Sequence, residues 1–204
     1  MVEAATLTGT FSILAVGEGS IGVAVASGST SVGDRVPWVS KRGAVATQGY
    51  TNVRYGREGI SLLKLGYDPG RILRKLLRDD DSPQRRQVAI IDHDRRKAVH
   101  TGSECPKETG SVTGTDLICI GNMLSNPEVP RAMADAYRSP SPFPARLVGA
   151  LRAGSSEGGD RRGERSAALL VCGKRDIAIR ISSSRTPIDD LGAKLRGLDS
   201  RPQT

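Results

Sequence analysis

The 204-residue chain is expected to fold as a layered α+β domain in which antiparallel sheets are covered by helices. Three observations lead there. Short apolar runs rich in β-branched residues come in pairs separated by turn formers, amphipathic stretches at helical spacing also come in pairs, and the longest apolar runs are only strand-sized. By the last point neither a membrane span nor a secretory leader is expected, and a cytoplasmic location without a membrane partner is. The length fits one domain, assigned to residues 10–198, with 1–9 as a propeptide or N-terminal extension and 199–204 as a flexible tail.

Each element has a local reason. TFSILAV (10–16) and IGVAVAS (21–27) flank the turn formers Gly17, Glu18, Gly19 and Ser20, which predicts a hairpin. Two strand-like pieces follow, around WVS (38–40) and GAVATQGY (43–50), and then a Gly-punctuated loop, TNVRYG (51–56). REGISLLKLG and PGRILRKLLRDD place Ile60, Leu63 and Leu65, then Ile72, Leu73, Leu76 and Leu77, at helical spacing, with Pro69 where a first turn tolerates it. QVAIIDHDRRKAVHTG (87–102) reads as strand, charged turn and strand, and TDLICIGNML (115–124) as a further strand. PEVPRAMADAYRS and PARLVGALRAG are amphipathic helices, Pro130 fitting only inside a first turn. A charged glycine-rich loop, SSEGGDRRGERS (155–166), leads to the hairpin SAALLVC/DIAIRIS and a closing helix, PIDDLGAKLRG.

A net charge of +8 and a pI near 9.8 invite a nucleic-acid reading. Aromatic residues make up only 3%, no recognition signature is present, and the densest basic stretch, 71–87, is broken by Asp79, Asp80 and Asp81 as a solvated helix face would be. Nucleic acid is therefore not the expected partner. Cys105, Cys119 and Cys172 are far apart and read as mostly buried thiols rather than as a zinc knuckle or a disulfide framework. Two histidines seven residues apart make no zinc site, and GEGSIG lacks the strand-to-helix setting of a dinucleotide fingerprint. Neither a metal nor a cofactor is expected.

TFSILA, GVAVASG, VPW, GAVATQGYTN, HTG, GNML and GGDRRGERSAALLV occur in the order and spacing of a bacterial and archaeal domain-of-unknown-function family, number 1028, which the chain resembles from Thr10 to Val171. That family is classed with the N-terminal nucleophile (Ntn) hydrolases, so the resemblance implies a four-layer αββα sandwich and an amide-cleaving activity. It also singles out Thr10. A threonine at a chain terminus carries its own base, an α-amine of pKa about 7.7–8.0, and needs no histidine. Many members begin Met-Thr-Phe-Ser, whereas here Gly9 precedes the threonine, so the Gly9–Thr10 bond must be cut, by the protein itself or by another protease. The alternative is a non-catalytic ligand-binding or scaffold protein.

The matching motifs supply further candidates. Gln48, Tyr50, Thr51 and Asn52 end an apolar strand and read either as substrate contacts or as turn chemistry with Asn52 capping a loop. Asp34 is placed to orient the amine or steady a cation, or is a turn residue, and Lys41 is a weaker candidate for lowering the hydroxyl pKa. Asn122 is an oxyanion donor or a structural amide, and His100 a general acid or a structural histidine. Asp160, Arg161, Arg162, Glu164 and Ser166 form either a rim that binds a substrate carboxylate or a salt-bridged loop. PKETGSVTGTD after Cys105 lacks the aromatic piece expected of relatives. The expected partner is a small-molecule or short-peptide amide, and the expected assembly a homo-oligomer, a dimer.

Overall fold

Strand alternation decides which way the first hairpin points its side chains. In the computed structural model, which describes residues 7–199, β1 (Leu7–Thr8) is followed after Gly9 by β2 (Thr10–Gly17) and β3 (Ser20–Ser27). Glu18 and Gly19, both at positive φ (54° and 72°), form the two-residue turn that a right-twisted hairpin prefers. Its register sets Thr10 opposite Ser27. Phe11, Ile13 and Ala15 then pack under helices, while Leu14 and Val16 pack against a second sheet. Thr10 and Ser12 share the latter face, so the threonine looks into the space between two sheets.

The remaining strands are β4 (Pro37–Ser40), β5 (Gly43–Tyr50), β6 (Arg86–Asp92), β7 (Lys97–Thr101), β8 (Gly110–Thr113), β9 (Leu117–Asn122), β10 (Ser166–Cys172) and β11 (Ile177–Ile181). Every pairing between them is antiparallel. One sheet runs β11-β10-β3-β2-β9-β8; the other runs β1-β5-β6-β7, with β4 also paired to β5. Helices α1 (Val53–Lys64) and α2 (Pro69–Arg78) cover the second sheet through Tyr55, Leu63, Ile72 and Leu76 against Val45, Val88 and Ile90. Helices α3 (Val129–Ala136), α4 (Phe143–Ser156) and α5 (Pro187–Asp199) cover the first through Met133, Phe143, Leu147, Leu151 and Leu191. A third apolar cluster, with Leu14, Val23 and Val25 facing Ala44, Ala46, Ala89 and Ile91, lies between the sheets. The order of layers is thus helix, sheet, sheet, helix.

Two expectations need correction. TNVRYG is not a loop throughout, because Asn52 accepts the Arg54 amide at 3.1 Å as an N-cap and α1 starts at Val53. The segment after Cys105 also contributes a strand, β8, which the short polar GSVT does not announce. Pro130 does sit in the first turn of its helix, and Arg71, Arg74 and Arg78 are exposed on α2. Most of the N-terminal extension and of the tail lies outside the described residues. Among the described residues, no helix is long and apolar enough to cross a membrane.

The chain changes sheets at one residue. Leu7 and Thr8 pair with Tyr50 and Gly49 at the end of β5, beyond the stretch of that edge which β4 occupies. Two residues later Thr10 is in the other sheet, between Ser27 of β3 and Asn122 of β9. Gly9 is the crossing point.

Candidate functional site

The crossing leaves the Gly9 carbonyl inside the protein, where its oxygen needs donors. Three supply them. The Thr10 hydroxyl donates to it at 2.6 Å, the Ser27 hydroxyl at 2.5 Å, and Nη2 of Arg162 at 3.2 Å. The Thr10 and Ser27 hydroxyl oxygens are themselves 3.3 Å apart, and both residues are fully buried. A peptide carbonyl gripped by two hydroxyls and a cation, with one hydroxyl on the next residue, is polarised toward attack at carbon.

Asp160 organises this corner. It is 2% exposed and accepts Nε and Nη2 of Arg162 at 3.0 and 2.8 Å, the Arg162 amide at 3.0 Å and the Gly28 amide at 2.7 Å. The hydrogen bonds from Arg162, stronger than its own desolvation, raise the guanidinium pKa and keep it charged. A Cβ on Gly9 would meet Asp160 Oδ2 at 2.6 Å, so a side chain there would have to displace the carboxylate. Glu164 braces the loop from below, accepting the Asp160 amide at 3.2 Å and the Ser155 hydroxyl at 3.1 Å.

Behind Thr10 a chain of side-chain amides crosses between the sheets. Ser12 donates to Gln48 Oε1 at 2.7 Å; Gln48 Nε2 donates to the Thr10 carbonyl at 3.1 Å and to Gln87 Oε1 at 2.8 Å. Asn122 Nδ2 donates to the same Gln87 oxygen at 3.1 Å, and Gln87 Nε2 to the Gly121 carbonyl at 2.9 Å. All four residues are buried. The chain fixes the strand that carries Thr10 on its far side.

Of the residues expected at the site, Thr10, Gln48, Asn122, Asp160, Arg162 and Ser166 gather here. Asn122 lies beside Thr10 on the neighbouring strand, while the Gly9 oxygen accepts from Thr10, Ser27 and Arg162. Ser166, opposite Ser27 in the sheet, accepts the Val32 amide at 3.1 Å and donates to the Ser29 carbonyl at 2.6 Å. Tyr50 and Arg161 line a surface cavity with Glu104, Lys107, Glu108 and Met123. There the Arg85 guanidinium lies 3.7 Å from the Tyr50 ring centre, and Arg161 meets Glu108 at 3.2 Å.

The others fall elsewhere. Asp34 is 64% exposed and faces Arg180 at 3.5 Å. His100 shares a rung with Val88, whose side chain packs on the α1–α2 side, and its Nε2 contacts the Pro83 carbonyl at 3.0 Å; strand parity turns it away from Thr10. Asn52 caps α1 and donates to Asp80 at 3.2 Å, and the Thr51 hydroxyl is buried without a hydrogen-bond partner. Lys41 lies in the β4–β5 turn, at the other end of β5 from Gly49. Asp92, His93 and Asp94 bring ligand atoms within 4.8 Å of one another at the expected β6–β7 turn, where Arg96 pairs with Asp92 at 2.7 Å and Arg42 contacts His93 at 3.1 Å. Ser27, Ser29, Arg35 and Gln87 were not anticipated from the sequence.

The fold and the corner define a class: a two-sheet α+β sandwich that buries a Gly–Thr peptide among hydroxyls and a fixed guanidinium. Within that class, the chain matches the family of unknown function DUF1028 over residues 10–191 and belongs to it. It is similar to the crystal structure of protein SPO2555 from Silicibacter pomeroyi, of the same family, at 33% identity and a TM-score of 0.89, over 95% of this chain and 87% of that one. No curated protein matches the chain.

Proposed function

We propose that the protein is an N-terminal-threonine amidohydrolase of the Ntn type, made active by cleavage at Gly9–Thr10. The observation that carries the reading is the Gly9 carbonyl oxygen, held by Ser27 and Arg162 beside the Thr10 hydroxyl. The family match, which begins at Thr10, agrees with it.

In the first reaction Thr10 Oγ1 gives up its own hydrogen bond to the Gly9 oxygen and attacks the Gly9 carbonyl carbon, and the oxygen, now an oxyanion, keeps Ser27 and Arg162 as donors. The C–N bond breaks, the amine of Thr10 takes the proton that the hydroxyl lost, and water hydrolyses the resulting ester to leave a Gly9 carboxylate. The freed amine then serves as base in the second reaction. It takes the hydroxyl proton as Oγ1 attacks an amide carbon and delivers it to the departing amine, and water releases the acid from the acyl-enzyme. Ser27 and Arg162 stand where they can serve the second oxyanion as they serve the first.

Intact mass and N-terminal sequencing of the wild type and Thr10→Ala test this. The wild type is expected to begin at Thr10 and the variant to retain residues 1–9. A wild type that stays full length would overturn the catalytic reading in favour of ligand binding or a scaffold role.

A further inference from the structure

Among the described residues, one part-buried arginine close to Thr10 makes no ion pair. Arg35 follows the 3-10 turn Val32–Asp34, and its Nη1 donates to the Thr30 and Ser31 carbonyls at 2.8 and 2.9 Å. Nη2 donates to the Ser29 hydroxyl, while Nε is buried with no hydrogen-bond partner. Its neighbour Asp34 is turned toward Arg180, and Arg35 makes no ion pair among the described residues. Burial lowers the Arg35 pKa; Asp34 acts the other way, and Arg162 lowers it further. A desolvated cation next to another cation is costly to maintain.

The guanidinium is nevertheless held firmly. Ser166, buried below, ties both the Ser29 carbonyl and the Val32 amide, so the loop that carries Arg35 is anchored to β10. The Ser29 hydroxyl is 2.9 Å from the Ser27 hydroxyl, which is 3.3 Å from that of Thr10. Two serine hydroxyls therefore separate the cation from the proposed nucleophile. Arg162, in contrast, already spends its fork on Asp160, and Arg161 pairs with Glu108 at the surface.

We propose that Arg35 and Ser29 form a carboxylate-binding subsite beside Thr10, and that the amide cleaved there bears a free carboxylate close to the scissile bond. The proposal rests on the Thr10 reading for its chemistry but not for its binding step. A planar guanidinium whose Nε has no hydrogen-bond partner suits a carboxylate geometrically as well as electrically. In an N-acylamino acid the carboxylate lies about 4–5 Å from the scissile carbonyl carbon, a span set by ordinary bond lengths. In the monoamide of a small dicarboxylic acid it lies at a similar distance on the acyl side.

The test uses the chain as isolated, after its N-terminus has been read by mass. N-acetylglycine and succinic acid monoanilide are titrated calorimetrically, each against its uncharged methyl ester. The wild type is expected to bind the carboxylates at least tenfold more tightly than the esters; whichever carboxylate is preferred identifies the side of the scissile bond. Arg35→Gln is expected to erase that preference, Arg35→Lys to keep part of it, and Ser29→Ala to weaken it. Thermal midpoints establish that the variants fold, and Ser29→Ala serves alone if Arg35→Gln does not. Equal binding of charged and uncharged probes, or a preference unchanged in folded Arg35→Gln or Ser29→Ala, overturns the subsite. With a chain that begins at Thr10, that result leaves the nucleophile standing. With a chain that retains Gly9 the nucleophile falls, while a preference that depends on Arg35 still upholds the subsite.

Discussion

Thr10 and Ser27 face each other across one rung of the β2–β3 hairpin, and both donate a hydroxyl hydrogen to a single oxygen, that of Gly9. Only one of the two can be the attacking group. Thr10 is next to the bond, while Ser27 is placed to stabilise what forms on the oxygen. Ser27→Ala should therefore still process, at a rate lower by about 10²-fold, the usual effect of removing one oxyanion donor. A time course of intact mass after synthesis checks this, and an unchanged rate would give Ser27 a purely structural role.

Gly9→Ala meets the Asp160 carboxylate, because the added Cβ would sit 2.6 Å from Oδ2. The variant should lose about 1–3 kcal/mol by overpacking and should accumulate unprocessed chain, although the nucleophile is intact. Denaturant unfolding alongside mass analysis measures both. Normal stability and normal processing together would mean that Asp160 moves away at little cost.

Asp160→Asn removes the charge that fixes Arg162. With its partner neutral, the guanidinium is left without an ion pair at the Gly9 oxygen, and a loss of stability of about 3 kcal/mol is expected. Processing should slow further than in Ser27→Ala, because the Gly28 and Arg162 contacts loosen together. Comparison of the two variants by the same time course decides the order.

Acid should weaken the α1–α2 side through Asp80. Burial alone would raise this carboxyl, but hydrogen bonds from Arg86, the Ser82 amide and Asn52 outweigh it and hold the group well below the ordinary carboxylate range. Stability from a depressed carboxyl is fully present above its unfolded pKa of about 3.9 and is lost as pH falls toward the folded value. The thermal midpoint of the wild type should accordingly drop below about pH 4. Asp80→Asn should be less stable at neutral pH, by about 3 kcal/mol, and flatter in acid. Parallel acid profiles for the two proteins would assign the transition to other groups.

The paired strands and helices were readable because each buries one face and repeats with its own period, as in SILAV against RILRKLL. Ser27 was within reach too: a two-residue turn at Glu18–Gly19 sets it opposite Thr10 by counting alone. The face of His100 is not legible in the sequence, because a strand-end histidine has two possible faces and only its rung with Val88 decides between them. Arg35 leaves no such trace. Its position depends on Ser31 at φ 54° and on a serine from β10, neither of which a local pattern encodes. Gln87 likewise belongs to a network between strands that are distant in sequence.

The two-residue ladder between Leu7–Thr8 and Gly49–Tyr50 bears on the direction of the proposed cleavage. While the chain is continuous, that short pairing works at an effective concentration in the millimolar range, which a covalent tether supplies. Once the bond is cut, the same few contacts must hold a separate peptide against dilution, and a pairing of this length does so poorly. Escape of the segment, rather than the energetics of the peptide bond, would then make the event a one-way commitment.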